Sequence, residues 1–147
     1  MPVVAVNIRH VNAQRKEDYN GPIQIGHNTA LKDVVDADFG QIGKKGLKIP
    51  FEFRTDYKTD KNKIFAEIVM QGEVLILADN TVEVLKSWKK DKKIPEAVNI
   101  EAINAVIRKC LTRAITLSEE IQLPPPVPMP FAQKQEDQQQ TQSRYIG

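Results

Sequence analysis

Apolar and polar positions alternate along most of the first half of the chain, and a period of two is typical of strands with one buried face. The segment VVAVNIRHV near the N-terminus predicts a first strand, and IQI after the Gly21-Pro22 turn predicts a short second strand. Residues 27–46 follow no single period. Within them, ALKDVVDADF is compatible with a strand or with one helical turn, and the three glycines that follow predict a loop.

The clearest alternation lies in LKIPFEFRTDY, where every second residue from Leu47 to Tyr57 is apolar or threonine. The polar turn KTDKNK separates this segment from IFAEIVMQGEVLILA, so the two runs are predicted to pair as an antiparallel hairpin. Pro50 cannot donate a hydrogen bond to a neighbouring strand, which favours an edge position or a bulge. Gly72 interrupts the second run and predicts a bulge or a sharp bend.

The period changes after residue 80, where helical spacing replaces alternation. NTVEVLKSWKK predicts a short helix, since Asn80 precedes Glu83 by three residues in a pattern close to a capping box. Asn99 is expected to cap a longer helix, IEAINAVIRKCLTRAITL, whose apolar residues recur at intervals of three and four. The predicted fold class is α+β: a curved antiparallel sheet of about four strands with one long and one short helix.

A proline-rich segment, QLPPPVPMPF, follows the long helix and holds five of the nine prolines. Because proline keeps a chain extended, we expect this segment to cover the sheet as the last layer of the domain, with a linker or docking peptide as the alternative. The domain boundary is placed after Phe131, so residues 1–131 form the domain. Residues 132–147 form a polar, glutamine-rich tail that is expected to be disordered unless a partner binds it.

Three stretches occur in this order: FEFRTDYKTDKNKIFAEIVMQGEVLI, IPEAVNIEAINAVIRKCLTRA and LSEEIQLPPPVPMPF. The ordered set resembles the SecB family of protein-export chaperones, and in particular the shorter SecB-like proteins of archaea. The resemblance extends over roughly residues 3–131 and implies a SecB-like fold.

The same resemblance implies a non-enzymatic holdase that binds extended, apolar segments of unfolded or nascent chains in surface grooves, with no nucleotide. Its partners would be unfolded polypeptides or other copies of the chain, since SecB itself is a dimer of dimers. The chain departs from the family after the proline-rich segment. There, AQKQEDQQQTQSRYIG lacks the apolar face of the second helix that SecB proteins carry at this position.

The composition is that of an ordinary globular protein, with 41% hydrophobic and 27% charged residues and a net charge of +2 over 147 residues. The longest apolar run, VLILA, is far shorter than the roughly 20 residues that a membrane span requires, so no membrane insertion is expected. The N-terminus has no pattern of a secretory signal. A single cysteine allows no internal disulfide, which favours a reducing cytoplasm.

No set of residues in the sequence predicts catalysis, a cofactor or a metal. Cys110 lies on the apolar stripe of the long helix, where a buried structural cysteine is expected. His10 and His27 have no carboxylate or thiol at ligand spacing. Asp36 and Asp38 are interpreted as part of a solvated turn, because further ligands are missing. The protein is therefore not expected to be an enzyme.

Binding is the function that the sequence favours. A sheet with helices on one side has a second face to cover, and that face is expected to receive an unfolded client or another subunit. The predicted apolar client or subunit surface consists of Phe65, Val69, Val74, Met129 and Phe131.

A lysine-rich segment, KSWKKDKK, supports an alternative function as a structural or accessory protein of an archaeal ribosome, of the large-subunit type. Lysines around an aromatic residue suit contacts with rRNA phosphates and bases, and the partners would then include ribosomal proteins. A solvated helix end, with Trp88 packed on Val84, would explain the same residues without RNA. The candidate RNA contacts are Lys86, Trp88, Lys89, Lys90, Lys92, Lys93 and, in the tail, Arg144.

Overall fold

A computed structural model of the chain describes residues 3–40, 44–77, 80–130 and Ala132. The described residues form one antiparallel sheet with two helices after it in the chain, an α+β fold as predicted. The strands are β1 Val3–Arg15, β2 Gln24–Leu31, β3 Val35–Phe39, β4 Lys44–Lys58 and β5 Ile64–Leu77, and the helices are α1 Thr81–Asp91 and α2 Glu96–Glu120.

The sheet has five strands instead of about four, because residues 35–39 form a strand and not a helical turn. The strand order is β1-β5-β4-β2, and β3 also pairs with β4. Strand β4 is long enough to hold both short strands on one side: β2 pairs with residues 51–58 and β3 with residues 44–48. Within the described part of the chain, β1 therefore lies at one margin of the sheet, and β2 and β3 share the other.

Pro50 lies in the centre of the sheet, so the prediction of an edge position was wrong. The carbonyl oxygen of Pro50 accepts a hydrogen bond from the Lys32 amide at 2.8 Å, on the side of β4 that β2 and β3 share. A residue in a strand directs its N–H and C=O to the same side, so the N–H that proline lacks would also point there. That side is the gap between Leu31 and Val35, where no ladder bond is lost.

The two long central strands present one continuous apolar face to helix α2. Odd-numbered residues of β4 pair with even-numbered residues of β5 on this helix face, from Leu47 opposite Ile76 to Tyr57 opposite Ala66. Helix α2 contacts the sheet through a stripe of mostly small side chains, which lets its backbone approach closely. The buried residues of this stripe are Val98, Ala102, Val106, Cys110, Ala114 and Leu117.

Both helix starts differ from the capping predictions. Helix α2 begins at Glu96 after Pro95, three residues before the predicted cap Asn99, because proline fits the start of a helix, where an N–H has no partner. Asn80 does precede α1, but its side chain makes no capping hydrogen bond.

The opposite, open face of the sheet carries ion pairs across neighbouring strands. The Arg9 guanidinium pairs with Glu73 at 2.7 Å and holds the pKa of that carboxyl below its usual value. Arg54 pairs with Glu67 and, at 3.0 Å, with Asp56. Arg9–Glu73 and Arg54–Glu67 join neighbouring strands, so this face has paired charges in place of the open apolar surface that the sequence predicted.

Gly72 permits the close approach of β1 and β5, since a Cβ there would overlap the Asn7 carbonyl oxygen. We expect Gly72→Ala to destabilise the protein by about 1–3 kcal/mol, because the backbone of β1 must move away. Gly26→Ala is the matched control, since a Cβ at Gly26 meets no atom within 4 Å. Urea unfolding of both variants tests this, and equal midpoints would contradict it.

Candidate polypeptide-binding surface

The chain reverses direction after α2 and crosses the end of the sheet as a return segment, residues 121–130. Gln122 makes the reversal with a φ of 60°, and the Leu123 amide bonds to the Ser118 carbonyl at 2.8 Å. Leu123 is then buried in the core. Arg15 Nη1 donates to the Gln122 carbonyl at 2.9 Å, which ties the reversal to the end of β1.

Side chains of the sheet hold the return segment through its proline carbonyls. The Tyr57 hydroxyl donates to the Pro124 carbonyl at 2.8 Å, and burial raises the pKa of this phenol to about 12, so it stays a donor. His27 Nε2 lies 2.9 Å from the Pro126 carbonyl. A carbonyl oxygen only accepts, so Nε2 carries the proton, and in the neutral ring Nδ1 accepts from the Thr55 hydroxyl at 3.0 Å.

Between β2 and the return segment lies an apolar groove of about 520 Å³, which we call the proline groove. Its lining consists of Ile25 and the continuous segment 125–130. Met129 is 44% exposed there, whereas Pro126 is buried beneath it in the chain's own packing. The prolines have no amide hydrogen, so the wall of the groove offers rings and carbonyls and few donors.

A second concavity of about 400 Å³, the Trp88 pocket, lies where β2 meets the connection between the helices. Its aromatic wall is fixed: Trp88 Nε1 donates to Asp33 Oδ1 at 2.9 Å, and Lys92 Nζ lies 5.2 Å from the centre of the ring. The lining residues are Thr29, Leu31, Trp88, Lys92, Lys93, Ile94, Asn99 and Ile103.

Both concavities open on the same face of β2. Ile25 pairs with Tyr57, and Leu31 pairs with Phe51, so the odd-numbered residues of β2 share the helix face with the odd-numbered residues of β4. The His27 ring lies between the two concavities and stacks on Phe53 with a centroid distance of 6.4 Å. Residues 25 and 29 are about 14 Å apart along an extended strand. One extended peptide that lies beside β2 can therefore reach both the proline groove and the Trp88 pocket.

Three of the predicted surface residues are buried in the chain's own fold, which corrects the expectation that they form an open apolar surface. Val74 is fully buried on the helix face, on the same side as Met70 and not opposite to it. Phe65 follows the turn, where the β4–β5 register shifts, and it packs 5.0 Å from Tyr19, ring centre to ring centre. Val69 is 7% exposed on the open face.

The other predicted residues have separate outcomes. Met129 lines the proline groove, and Phe131 and Arg144 lie outside the described residues. Trp88 is half-buried, packed against the core and engaged by Asp33 and Lys92, so its ring is not a free platform for a base. The five lysines of the predicted RNA-contact set are exposed, as expected for the end of a helix and the loop after it: Lys86, Lys89, Lys90, Lys92 and Lys93.

The contribution of β2 was missed from the sequence. Ile25, Thr29 and Leu31 form the shared floor of the surface, but QIGHNTAL has only a weak alternation. The length of β4 is the signal that could have located them. Strand β3 pairs only with residues 44–48, so residues 51–58 of β4 need a second partner strand, and β2 is that strand.

Cys110 is fully buried, which confirms the interpretation of a structural cysteine. Among the described residues, no group of three or more His, Cys, Asp or Glu side chains could hold a metal ion. Neither of the two described helices combines the length and hydropathy that crossing a membrane requires.

Comparison with known proteins gives a similar solved structure but no match by sequence. Neither a protein-family model nor a curated protein matches the chain. Among solved structures, the chain is similar to the Mycobacterium tuberculosis Rv1957 SecB-like chaperone in complex with a ChAD peptide from the Rv1956 HigA1 antitoxin. The TM-score is 0.53 at 10% identity, over 90% of this chain and 91% of that one. The chain therefore has a SecB-like fold, as its sequence predicted.

Removing the Tyr57 hydroxyl should loosen the return segment. We expect Tyr57→Phe to lower the free energy of unfolding by about 1 kcal/mol, since it leaves the Pro124 carbonyl without its donor. Thr112→Val is the control, because it deletes an exposed hydroxyl that donates to the Arg108 carbonyl within helix α2. Denaturant unfolding and the rate of proteolysis near residue 124 measure the effect. A larger loss for Thr112→Val would contradict it.

The Cys110 thiol should be unreactive in the folded protein. Burial raises its pKa to about 11, so at pH 8 only about one thiol in a thousand carries the reactive thiolate. We expect an alkylating reagent to label Cys110 at pH 8 only after unfolding in urea. Mass spectrometry of native and denatured samples measures this, and rapid native labelling would show that the helix opens.

Proposed function

We propose that the protein is a non-enzymatic, SecB-like holdase that binds extended apolar segments of unfolded or nascent polypeptides in the proline groove, without nucleotide. The observation that carries this proposal is the groove itself: about 520 Å³ of open, apolar space, bordered by a strand at the margin of the sheet. The partners are unfolded polypeptides, and the work is done in the cytoplasm.

The lining of the groove suits an apolar client segment. Ile25 and Val127 are half-buried and Met129 is exposed, so a client side chain placed between them would remove apolar surface from water on both partners. Methionine adapts to side chains of different shapes, which suits a protein that must accept many sequences. Proline walls are already stiff before binding, so little conformational entropy is lost when a client orders against them.

The strand β2 adds a second means of binding that does not depend on the client's sequence. Within the described residues, no strand pairs with its outer side, and the return segment bonds to it through the His27 side chain. An extended client can pair with such a margin by backbone hydrogen bonds while its side chains occupy the groove. The SecB-like fold supports the same assignment, because the similar solved structure is a chaperone with a bound peptide.

The ribosomal alternative has no comparable support. Its central aromatic residue, Trp88, is already occupied by Asp33 and by Lys92. The similar solved structure is not a ribosomal protein.

Replacing Met129 by glutamate tests the proposal. The purified wild-type protein should suppress aggregation of chemically denatured citrate synthase, measured by light scattering at stoichiometric excess. We expect Met129→Glu to weaken suppression and client affinity about five- to tenfold, because a charge replaces an apolar contact in the groove. Val82→Glu is the matched control, since Val82 is 62% exposed on α1 and does not line the groove.

The possible results distinguish the holdase function from the position of its binding site. If the wild-type protein does not suppress aggregation at all, the holdase function is wrong. If Met129→Glu and Val82→Glu behave alike, the function survives but the proline groove is not the binding site. Circular dichroism of both variants establishes that they are folded.

A further inference from the structure

The Trp88 pocket differs in charge from the proline groove. Residues 86–95 hold five lysines and one aspartate. Among the described residues, none of the five lysines forms an ion pair, whereas Arg9, Lys16, Lys32, Arg54 and Lys63 each pair with a carboxylate. The positive charge at this end of β2 is therefore available to an outside partner.

The local geometry directs two of these lysines to the rim of the pocket. Lys92 ends helix α1 in a left-handed conformation, with φ 54°, and its amide bonds to the Trp88 carbonyl at 2.9 Å. This reversal brings Lys92 and Lys93 into the lining, while Lys89 and Lys90 stay outside it. The Trp88 ring holds the Lys92 ammonium at 5.2 Å from its centre, so that charge is already positioned before a ligand arrives.

Asp33 lies beside the Trp88 ring, but among the described residues its carboxylate forms no ion pair with a lysine of the rim. Asp33 Oδ1 accepts from the Trp88 ring nitrogen at 2.9 Å and from the Val34 amide at 2.8 Å. Its hydrogen bonds fix the indole instead of a lysine. Asp91 and Glu96 are exposed at the chain positions next to the rim and do not line the pocket.

Apolar side chains line the pocket beside the charged rim, together with the polar Thr29 and Asn99. Leu31, Ile94 and Ile103 are half-buried lining residues. A client side chain with an apolar stem and a terminal carboxylate fits both the apolar lining residues and the lysines of the rim. An apolar residue next to an acidic residue fits them equally well. A lysine or arginine of a client would meet two like charges at the same place.

We propose that the Trp88 pocket selects an acidic side chain in the client, four to six residues away from the apolar side chain that the proline groove holds. This inference rests on the proposed holdase function and adds the chemistry of the client. The spacing follows from β2, because Ile25 borders one concavity and Thr29 and Leu31 border the other. An extended client beside β2 covers about 14–20 Å between these points.

Fluorescence anisotropy with three labelled 12-residue peptides tests the inference. All three carry the same pair of apolar residues, and five residues away they carry two glutamates, two glutamines or two lysines. We expect the acidic peptide to bind about three- to tenfold tighter than the neutral one, since each exposed ion pair contributes about two- to fivefold. The lysine peptide should bind weakest, and 0.5 M salt should remove most of the difference.

Matched charge variants locate the effect. The double variant K92Q/K93Q should lose the acidic preference, so that it binds the acidic and the neutral peptide with equal affinity. The double variant K89Q/K90Q changes the net charge equally on the same segment but outside the pocket, and it should keep the preference.

Each result decides the inference. Loss of preference in K92Q/K93Q alone supports it, whereas equal loss in both double variants, or equal affinity for all three peptides, overturns it. Failure of every peptide to bind overturns the holdase function itself. If a uridine oligomer displaces the acidic peptide and depends on Lys92 and Lys93 in the same way, the pocket serves nucleic acid and the inference is wrong.

Discussion

Proline has no amide hydrogen, and the arrangement of the candidate surface depends on this single constraint. A return segment with ordinary residues could pair with β2 and extend the sheet by one strand. The prolines prevent that pairing, so sheet side chains hold the segment by its carbonyls, through Tyr57 and His27. Strand β2 keeps its outer margin, and an apolar groove remains between the strand and the segment.

The distribution of charge divides the molecule into two kinds of surface. On the open face, cations and carboxylates of adjacent strands satisfy one another, and Glu67 receives Arg54, Lys16 and the Gln14 amide. Around the connection between the helices, the lysines have no such partners among the described residues. A net charge of only +2 thus conceals a locally positive patch next to an apolar groove.

Much of the fold could be predicted from the sequence, because burial on one face gives β4 a regular alternation and gives α2 a regular stripe, although β5 is buried without interruption from Phe65 to Met70. Gly72 was predicted to mark a bulge or a bend, and the β1–β5 register does shift opposite it, between Ile8 and His10. The sequence could not show that the β1 backbone also leaves no room for a Cβ at this position. The prediction of an edge position for Pro50 was wrong, because the gap between β2 and β3 allows a proline in a central strand.

The candidate site could be predicted only in part. Met129 was predicted because apolar residues alternate with prolines in this part of the sequence, whereas Ile25 and Thr29 have ordinary neighbours. Val74 was assigned to the wrong face. The alternation of residues within β5 could not show which of its side chains would be covered by β1 and by the loop that contains Tyr19. Concavities arise between segments distant in the chain, so alternation within one segment does not reveal them.

The gap between β2 and β3 beside Pro50 also affects whether other strands can add to this sheet to form a fibril. A protein that offers a strand margin to unfolded chains risks acting as a template on which strands add without end. Here the margin beside the groove is the eight-residue strand β2, which ends at Leu31 where the chain turns away, and β3 resumes only at Val35. An added strand meets that interruption and a wall of prolines, so the margin can accept one short segment but offers no long, flat template for an amyloid-like stack.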